Sequence, residues 1–96
     1  MLNNSLSKEI IAAKVLEMKS GRTLEVYTNE PGIQFYGGNF LISTIGKQNK
    51  TYKKRSAFCL ETQHFPNSPN QENFPSTLLK PNEEYYSICI YKFSTN

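Results

Sequence analysis

The sequence predicts an all-β chain of antiparallel strands. Residues 23–28 and 57–63 alternate with the period of two that places successive side chains on opposite faces of a strand. Residues 84–93 form an aromatic and aliphatic run that is typical of a strand covered on both faces. Segments rich in Gly, Pro and Asn separate these runs and predict turns and loops. We expect roughly five to seven strands in one segment that spans residues 1–96.

The first predicted element is a β-hairpin. Strands over residues 10–18 and 23–28 flank the turn at residues 19–22, which contains Gly21. Helix is the alternative for residues 6–18, because Lys, Glu, Ala and Leu favour helices. We prefer the strand, mainly because of the family resemblance that two longer motifs of this chain carry.

A turn at Pro31-Gly32 follows, and we expect Gly32 to supply the positive φ of a type II turn. In the next strand, Gln34 shares a face with Tyr36, which suits sugar binding but is also ordinary sheet patterning. Gly37 and Gly38 allow a bulge or a close backbone approach that brings Asn39 into a cleft or lets it cap the bend.

Residues 46–55 are strongly basic. They contain five of the eleven basic residues, and without these five the chain would have six basic and eight acidic residues. Tyr52 is the one aromatic residue among them, whereas a nucleic-acid surface usually interleaves several stacking partners. We therefore predict a solvated loop and no nucleic-acid partner.

The strand at residues 57–63 carries an unusual carboxylate. Glu61 shares a face with Cys59 and Gln63, while Leu60 lies on the other face. An unpaired buried charge costs several kcal/mol or more, so such a glutamate is usually paired, solvated at an edge, or kept as an acid or base. From the pattern alone, a solvated or salt-bridged glutamate is the favoured interpretation.

The remainder of the chain is a loop and a strand. Residues 64–81 contain four of the five prolines, so no long ladder forms there. Residues 84–93 are apolar enough on both faces to predict an interior strand.

Two long motifs resemble the aldose 1-epimerase (galactose mutarotase) family. They are LEVYTNEPGIQFYGGNFL at residues 24–41, and FCLETQHFPNSPNQ at residues 58–71 followed by NFPS at residues 73–76. The resemblance covers nearly the whole chain but only the C-terminal end of the much longer family sequence. It implies a galactose mutarotase-like antiparallel β-sandwich, of which this chain is the C-terminal portion, and it favours an ordered loop after residue 64.

The same resemblance implies roles for particular residues. Glu61 falls on the family's catalytic base, Gln34 falls on its sugar-binding glutamine, and Asn39 is a further candidate for substrate binding. Family members interconvert the α and β anomers of free aldoses such as galactose or glucose. We expect Glu61 and Gln34 to point into one concavity, framed by the Pro31-Gly32 and Gly37-Gly38 bends.

The resemblance stops at the general acid. The family's acid is a histidine that lies upstream of the region covered here, together with other sugar-contacting residues. The one histidine of the chain is His64, which we predict to be a turn or surface residue and not the acid. We therefore expect the isolated chain to be inactive, and to need a complementing N-terminal fragment or to self-associate.

Composition bounds the remaining expectations. The longest apolar runs are far too short to span a bilayer, and the first residues lack the pattern of a signal peptide, so we expect a cytoplasmic protein with no membrane partner. Cys59 and Cys89 lie outside any metal-ligand spacing, which predicts buried free thiols and no metal. We expect no cofactor and a monosaccharide ligand; the alternative function is a non-catalytic carbohydrate-binding module.

Overall fold

A computed structural model describes residues 10–96 as seven strands and two short 3₁₀ turns. The strands are β1 (Ile10–Leu16), β2 (Arg22–Thr28), β3 (Gly32–Tyr36), β4 (Thr44–Ile45), β5 (Thr51–Tyr52), β6 (Cys59–Gln63) and β7 (Cys89–Thr95). The 3₁₀ turns span Lys47–Asn49 and Ser68–Asn70. Every strand pairing among these residues is antiparallel, which confirms the predicted all-β fold.

The predicted hairpin is present as β1 and β2, with strand and not helix over Ile10–Leu16. Residues 6–9 of the helix alternative lie outside the described residues. β1 ends two residues earlier than predicted because the Glu17 carboxylate accepts hydrogen bonds from the backbone N–H groups of Lys19 (2.9 Å) and Ser20 (2.7 Å). Those contacts begin the turn before Met18 can extend the ladder.

β7 pairs with β2 and completes a sheet of order β1-β2-β7. The predicted strand at residues 84–93 is wrong at its start, since pairing begins only at Cys89. Side chains replace the ladder before that point. Asn29 Nδ2 donates to the Tyr86 carbonyl (3.2 Å), and Asn29 Oδ1 accepts from the Ile88 N–H (2.9 Å).

The position of β7 also differs from the prediction of an interior strand. Within residues 10–96, β7 has one neighbour, β2, and all seven of its residues are exposed. Phe93 is 74% exposed. The described part of the chain therefore leaves Phe93, near the end of β7, largely uncovered.

The second sheet consists of β3 and β6, and it meets the first through a small core. Val26 and Leu60 are the buried apolar side chains of the described residues. The Tyr91 hydroxyl of β7 donates a hydrogen bond to the Leu60 carbonyl of β6. This bond connects the two sheets at Leu60, the residue that precedes Glu61.

The basic stretch is not a simple loop. β5 lies inside this stretch and pairs with β4, which precedes it. The chain reverses between the two strands at Gln48 and Asn49, which both have positive φ (57° and 56°). All five basic side chains of the stretch belong to exposed residues, as a solvated segment requires.

Two glycines hold special positions, and one of them corrects a prediction. Gly32 does not have positive φ; it is the first residue of β3, and a Cβ there would lie 2.9 Å from the Phe65 ring. Gly32 is therefore needed for close approach and not for a type II turn. Gly38 has a φ of 71°, and it supplies the bend that follows β3.

The cysteine prediction is correct in part. Cys59 and Cys89 are free thiols, but both are exposed and not buried. None of the described residues forms a helix long and apolar enough to cross a membrane.

Candidate functional site

The β3–β6 ladder brings the two principal candidate residues together. Gln34 lies directly opposite Glu61, and the neighbouring pairs on the same face are Tyr36 with Cys59 and Gly32 with Gln63. Residues directly opposite one another in an antiparallel pair project from the same face, with Cβ atoms about 4.5–5.5 Å apart. The amide and the carboxylate are thus neighbours on a shared sheet face.

Glu61 offers an exposed carboxylate. Within the described residues it has no hydrogen bond or ion pair with another side chain. Gln34 is also exposed, and its Nε2 donates to the neighbouring Phe35 carbonyl (3.2 Å). An ionised carboxylate accepts hydrogen bonds, and an amide both donates and accepts them, so the pair can bind adjacent hydroxyl groups.

Asn39 lies at the bend after β3 and is held by a basic residue. Its Oδ1 accepts a hydrogen bond from Arg55 Nε (3.2 Å), while the Arg55 backbone N–H donates to the Gly37 carbonyl (3.1 Å). Arg55 has a φ of 62°, which turns its backbone toward the bend. Arg55 was predicted to lie in a solvated loop, and its contact with Asn39 could not be foreseen from the sequence pattern.

Gln34 and Asn39 line one concavity of about 720 Å³, together with Tyr36 and Arg55. Glu61 lines a neighbouring depression of about 480 Å³ with Tyr91 and other residues. The described chain therefore joins Gln34 to Glu61 through the ladder and to Asn39 through the concavity. Gln34 and Glu61 share a sheet face but line two separate depressions, so the expectation that they point into one concavity is wrong for the described residues.

A buried carboxylate near this ladder was missed by sequence reasoning. Glu30, between β2 and β3, is 4% exposed, and its Oε2 lies 2.8 Å from His64 Nδ1. The other oxygen, Oε1, accepts a hydrogen bond from the Tyr85 hydroxyl (2.7 Å). His64 does lie at a bend, as predicted, but it is half-buried and tied to Glu30.

The partners of Glu30 decide its protonation. Burial alone raises the pKa of the Glu30 carboxyl, but hydrogen bonds from Ser87 and Tyr85 and the nearby His64 imidazole outweigh burial and hold that pKa below its ordinary value. The same contact raises the pKa of Tyr85, because the ionised Glu30 carboxylate accepts a hydrogen bond from the phenolic hydroxyl and so favours its protonated form. Glu30 is thus an ionised residue at the junction of three segments.

Acid is expected to weaken the fold through Glu30. A lowered pKa means that this carboxylate stabilises the folded state above its ordinary value of 4.5, and that the stabilisation is lost as pH falls through the folded-state pKa. Urea denaturation followed by circular dichroism between pH 3 and 7 should show a steeper loss of unfolding free energy in the unmodified chain than in Glu30→Gln. Glu72→Gln, at an exposed residue, should keep the original slope; equal slopes in all three chains would contradict the assignment.

No metal centre is evident in residues 10–96, where no three His, Cys, Asp or Glu side chains gather. Tyr91 is a titratable group that lines the same depression as Glu61. Burial, followed by the thiol of Cys89, raises the pKa of Tyr91, and Glu61 contributes in the same direction. Tyr91 is therefore a neutral hydrogen-bond donor that borders the depression where Glu61 lies.

The fold and the site define an antiparallel β-protein that presents a carboxylate–amide pair on an exposed sheet face. The family model of aldose 1-epimerase matches residues 2–92 of the chain. The chain therefore belongs to the aldose 1-epimerase family.

Individual relatives agree with this assignment. Galactose mutarotase of Sus scrofa is 53% identical over 94 residues, which cover 97% of this chain and 27% of that protein. Galactose mutarotase of Homo sapiens is 54% identical over 83 residues, which cover 85% of this chain and 24% of that protein. Aldose 1-epimerase of Escherichia coli K12 is 38% identical over 85 residues, which cover 86% and 25%. The chain thus spans about a quarter of the length of the relatives it matches.

Proposed function

We propose that this chain is the part of an aldose 1-epimerase that carries the catalytic base, and that it interconverts α and β anomers once the rest of the sandwich is supplied. The observation that carries the proposal is the register of β3 and β6, which sets Gln34 opposite an exposed Glu61. The family membership gives this pair its chemical meaning. The same membership favours the epimerase over a non-catalytic carbohydrate-binding module.

Glu61 is proposed to act on the anomeric hydroxyl. Its carboxylate takes the hydroxyl proton, the electron pair of that O–H bond forms the aldehyde carbonyl, and the bond between C1 and the ring oxygen breaks. A general acid protonates the ring oxygen in the same step. Rotation about the C1–C2 bond and the reverse proton transfers then close the ring on the other face of the aldehyde.

Gln34 and Asn39 are proposed to hold the sugar while this occurs. Both are polar side chains at the β3 end of the site, and Arg55 fixes the Asn39 carbonyl so that its amide nitrogen remains available for a hydroxyl. Fixed hydrogen-bonding groups keep the anomeric hydroxyl within reach of the base. Loss of either residue should therefore weaken sugar binding more than it changes the chemistry.

The acid is proposed to come from outside the described residues. His64 is the one histidine of the chain, and its Nδ1 faces the buried Glu30 and not the Gln34–Glu61 pair. A complementing N-terminal part of the enzyme would supply the acid and cover the open sheet faces. We propose an aldose such as galactose or glucose as substrate and the cytoplasm as the location, with no nucleic-acid or membrane partner.

Polarimetry on freshly dissolved α-D-galactose tests the proposal. The chain alone should not accelerate mutarotation, because general acid and base groups each contribute about 10²- to 10⁴-fold and one of them is missing. Co-expression with the preceding three quarters of the Sus scrofa enzyme should give a complex that does. Acceleration by the isolated chain would contradict the missing acid, and an inactive complex of verified one-to-one composition would contradict the proposed function.

A further inference from the structure

The contact between Glu30 and His64 closes one end of the β3–β6 ladder. Gly32 and Gln63 form the terminal pair of that ladder. Glu30 lies two residues before Gly32, and His64 follows Gln63 immediately. The 2.8 Å contact from Glu30 Oε2 to His64 Nδ1 therefore joins the two chains just beyond their last paired residues.

The ladder by itself specifies its register weakly. It has two strands of five residues each, and Gln34, Cys59 and Glu61 are exposed on the face that they share. A two-stranded ribbon is marginal in water, and an exposed polar face tolerates slippage. A slip of two residues would keep Glu61 on the same face but would set Gln34 opposite Cys59 or Gln63.

We propose that Glu30 and His64 form a positioning pair, which fixes the β3–β6 register and so keeps Gln34 opposite Glu61. The importance of that register rests on the proposed function, although the register itself does not. A slip of two residues would move His64 about 7 Å along the partner strand. The buried Glu30 carboxylate would then lose its imidazole partner, and a buried charge that loses a partner is strongly disfavoured.

A second contact restricts slippage in the same place. The Phe65 ring lies against Gly32, where a Cβ would be 2.9 Å from the ring. Phe65 is itself anchored, because its carbonyl accepts a hydrogen bond from the Ser68 hydroxyl and its ring packs on Phe74 with centroids 5.0 Å apart. A slip that brought Gln34 beside this ring would force a side chain into space that only glycine fits.

The pair also has a purely structural role, which the test must separate from positioning. Glu30 accepts a hydrogen bond from Tyr85 and so holds the segment before β7 as well as the end of β6. Its loss should reduce overall stability whatever happens to the register. Disulfide trapping reports the register directly, since two cysteines that face each other across antiparallel strands are close enough to be bridged.

Two reporter chains measure the register. The first carries Gln34→Cys and Glu61→Cys with Cys59→Ser and Cys89→Ser, and it reports the observed pairing. The second carries Gln34→Cys and Cys89→Ser, keeps the native Cys59, and reports a slip of two residues. With Glu30 intact, the first reporter should cross-link far faster than the second.

The positioning pair is then disrupted in both reporters. Glu30→Gln and His64→Leu should each lower the ratio of the two cross-linking rates by about tenfold to a hundredfold, as expected when a buried charged group loses one polar partner. His64→Asn, whose amide nitrogen occupies the position of Nδ1, should restore most of the ratio. Glu72→Gln, at an exposed residue, should leave it unchanged.

Hydrogen exchange read by mass spectrometry shows whether the sheets persist. If Glu30→Gln unfolds the chain, His64→Leu decides the question, because it leaves the Tyr85 contact with Glu30 in place. Protection lost equally from β1–β2 and β3–β6, with an unchanged cross-linking ratio, would mean general stabilisation and would overturn the positioning role. An unchanged ratio in both variants would overturn it too.

Galactose binding separates this inference from the proposed function. Galactose-induced NMR shifts should disappear from β3 and β6 in the slipped His64→Leu chain. If the register slips while those shifts persist, the positioning pair stands and the Gln34–Glu61 sugar site fails. If the register does not slip, the positioning pair fails whatever the sugar shows.

Discussion

Replacing Glu61 by glutamine is expected to lower the mutarotation rate of the complemented enzyme by about 10²- to 10⁴-fold. The amide has nearly the shape of the carboxylate but cannot take the proton of the anomeric hydroxyl. Glu61 is exposed and lies outside the small core, so the substitution should leave the fold intact. The measurement is the initial rate of optical rotation change after α-D-galactose is dissolved with the complex of this chain and the preceding part of the Sus scrofa enzyme.

The control for this loss is a glutamate with the same charge and a different position. Glu72→Gln removes one carboxylate from an exposed loop site and should keep the full rate. A proton-transfer role also predicts that kcat falls while KM changes little, because the amide can still hydrogen-bond the sugar. A Glu61→Gln complex that retains its rate would show that another group is the base.

The elements that local patterns specify were predictable from sequence. The alternation of side chains over β2 and β6, together with the turn at Gly21, predicted the hairpin and the strand that carries Glu61. Alternation also fixed which residues share a face, so Gln34 and Glu61 could be placed on faces before their pairing was known. Their opposite positions in the ladder required the register, which is a long-range property.

The features that depend on contacts between distant segments were not predictable. Glu30 stands beside a Pro-Gly pair and resembles an exposed turn residue, yet Tyr85 and His64 bury it from segments that lie 55 and 34 positions away. β7 begins late for a similar reason, since Asn29 takes the backbone bonds that a ladder would have used. The burial of Glu30 depends on its contacts with Tyr85 and His64, and the sequence alone does not show these contacts.

The described sheets leave several large apolar side chains exposed. Two buried apolar side chains make a small core for the described residues, and edge strands with apolar faces favour association.

The isolated chain is expected to associate with itself, and the complementing part of the enzyme is expected to suppress this association. Phe93, which is 74% exposed on the face of β7 that also carries Tyr91, is the most direct probe. Burying a phenylalanine in an interface stabilises it by about 1.5–3 kcal/mol, so Phe93→Lys should weaken self-association by roughly tenfold to a hundredfold. Sedimentation equilibrium over a range of concentrations measures the change.

The matched control is Ser94→Lys, which adds the same charge to the same strand on its opposite face. If association uses the face that carries Phe93, this variant should associate much as the unmodified chain does, because Ser94 lies on the other face. Net charge changes equally in the two variants, so a difference between them reports the face and not the charge. Adding the preceding three quarters of the Sus scrofa enzyme should convert the oligomers of the unmodified chain into a one-to-one complex. A stable monomer with a cooperative thermal transition would show instead that the chain folds autonomously, and the open face of β7 would then be an ordinary solvated surface.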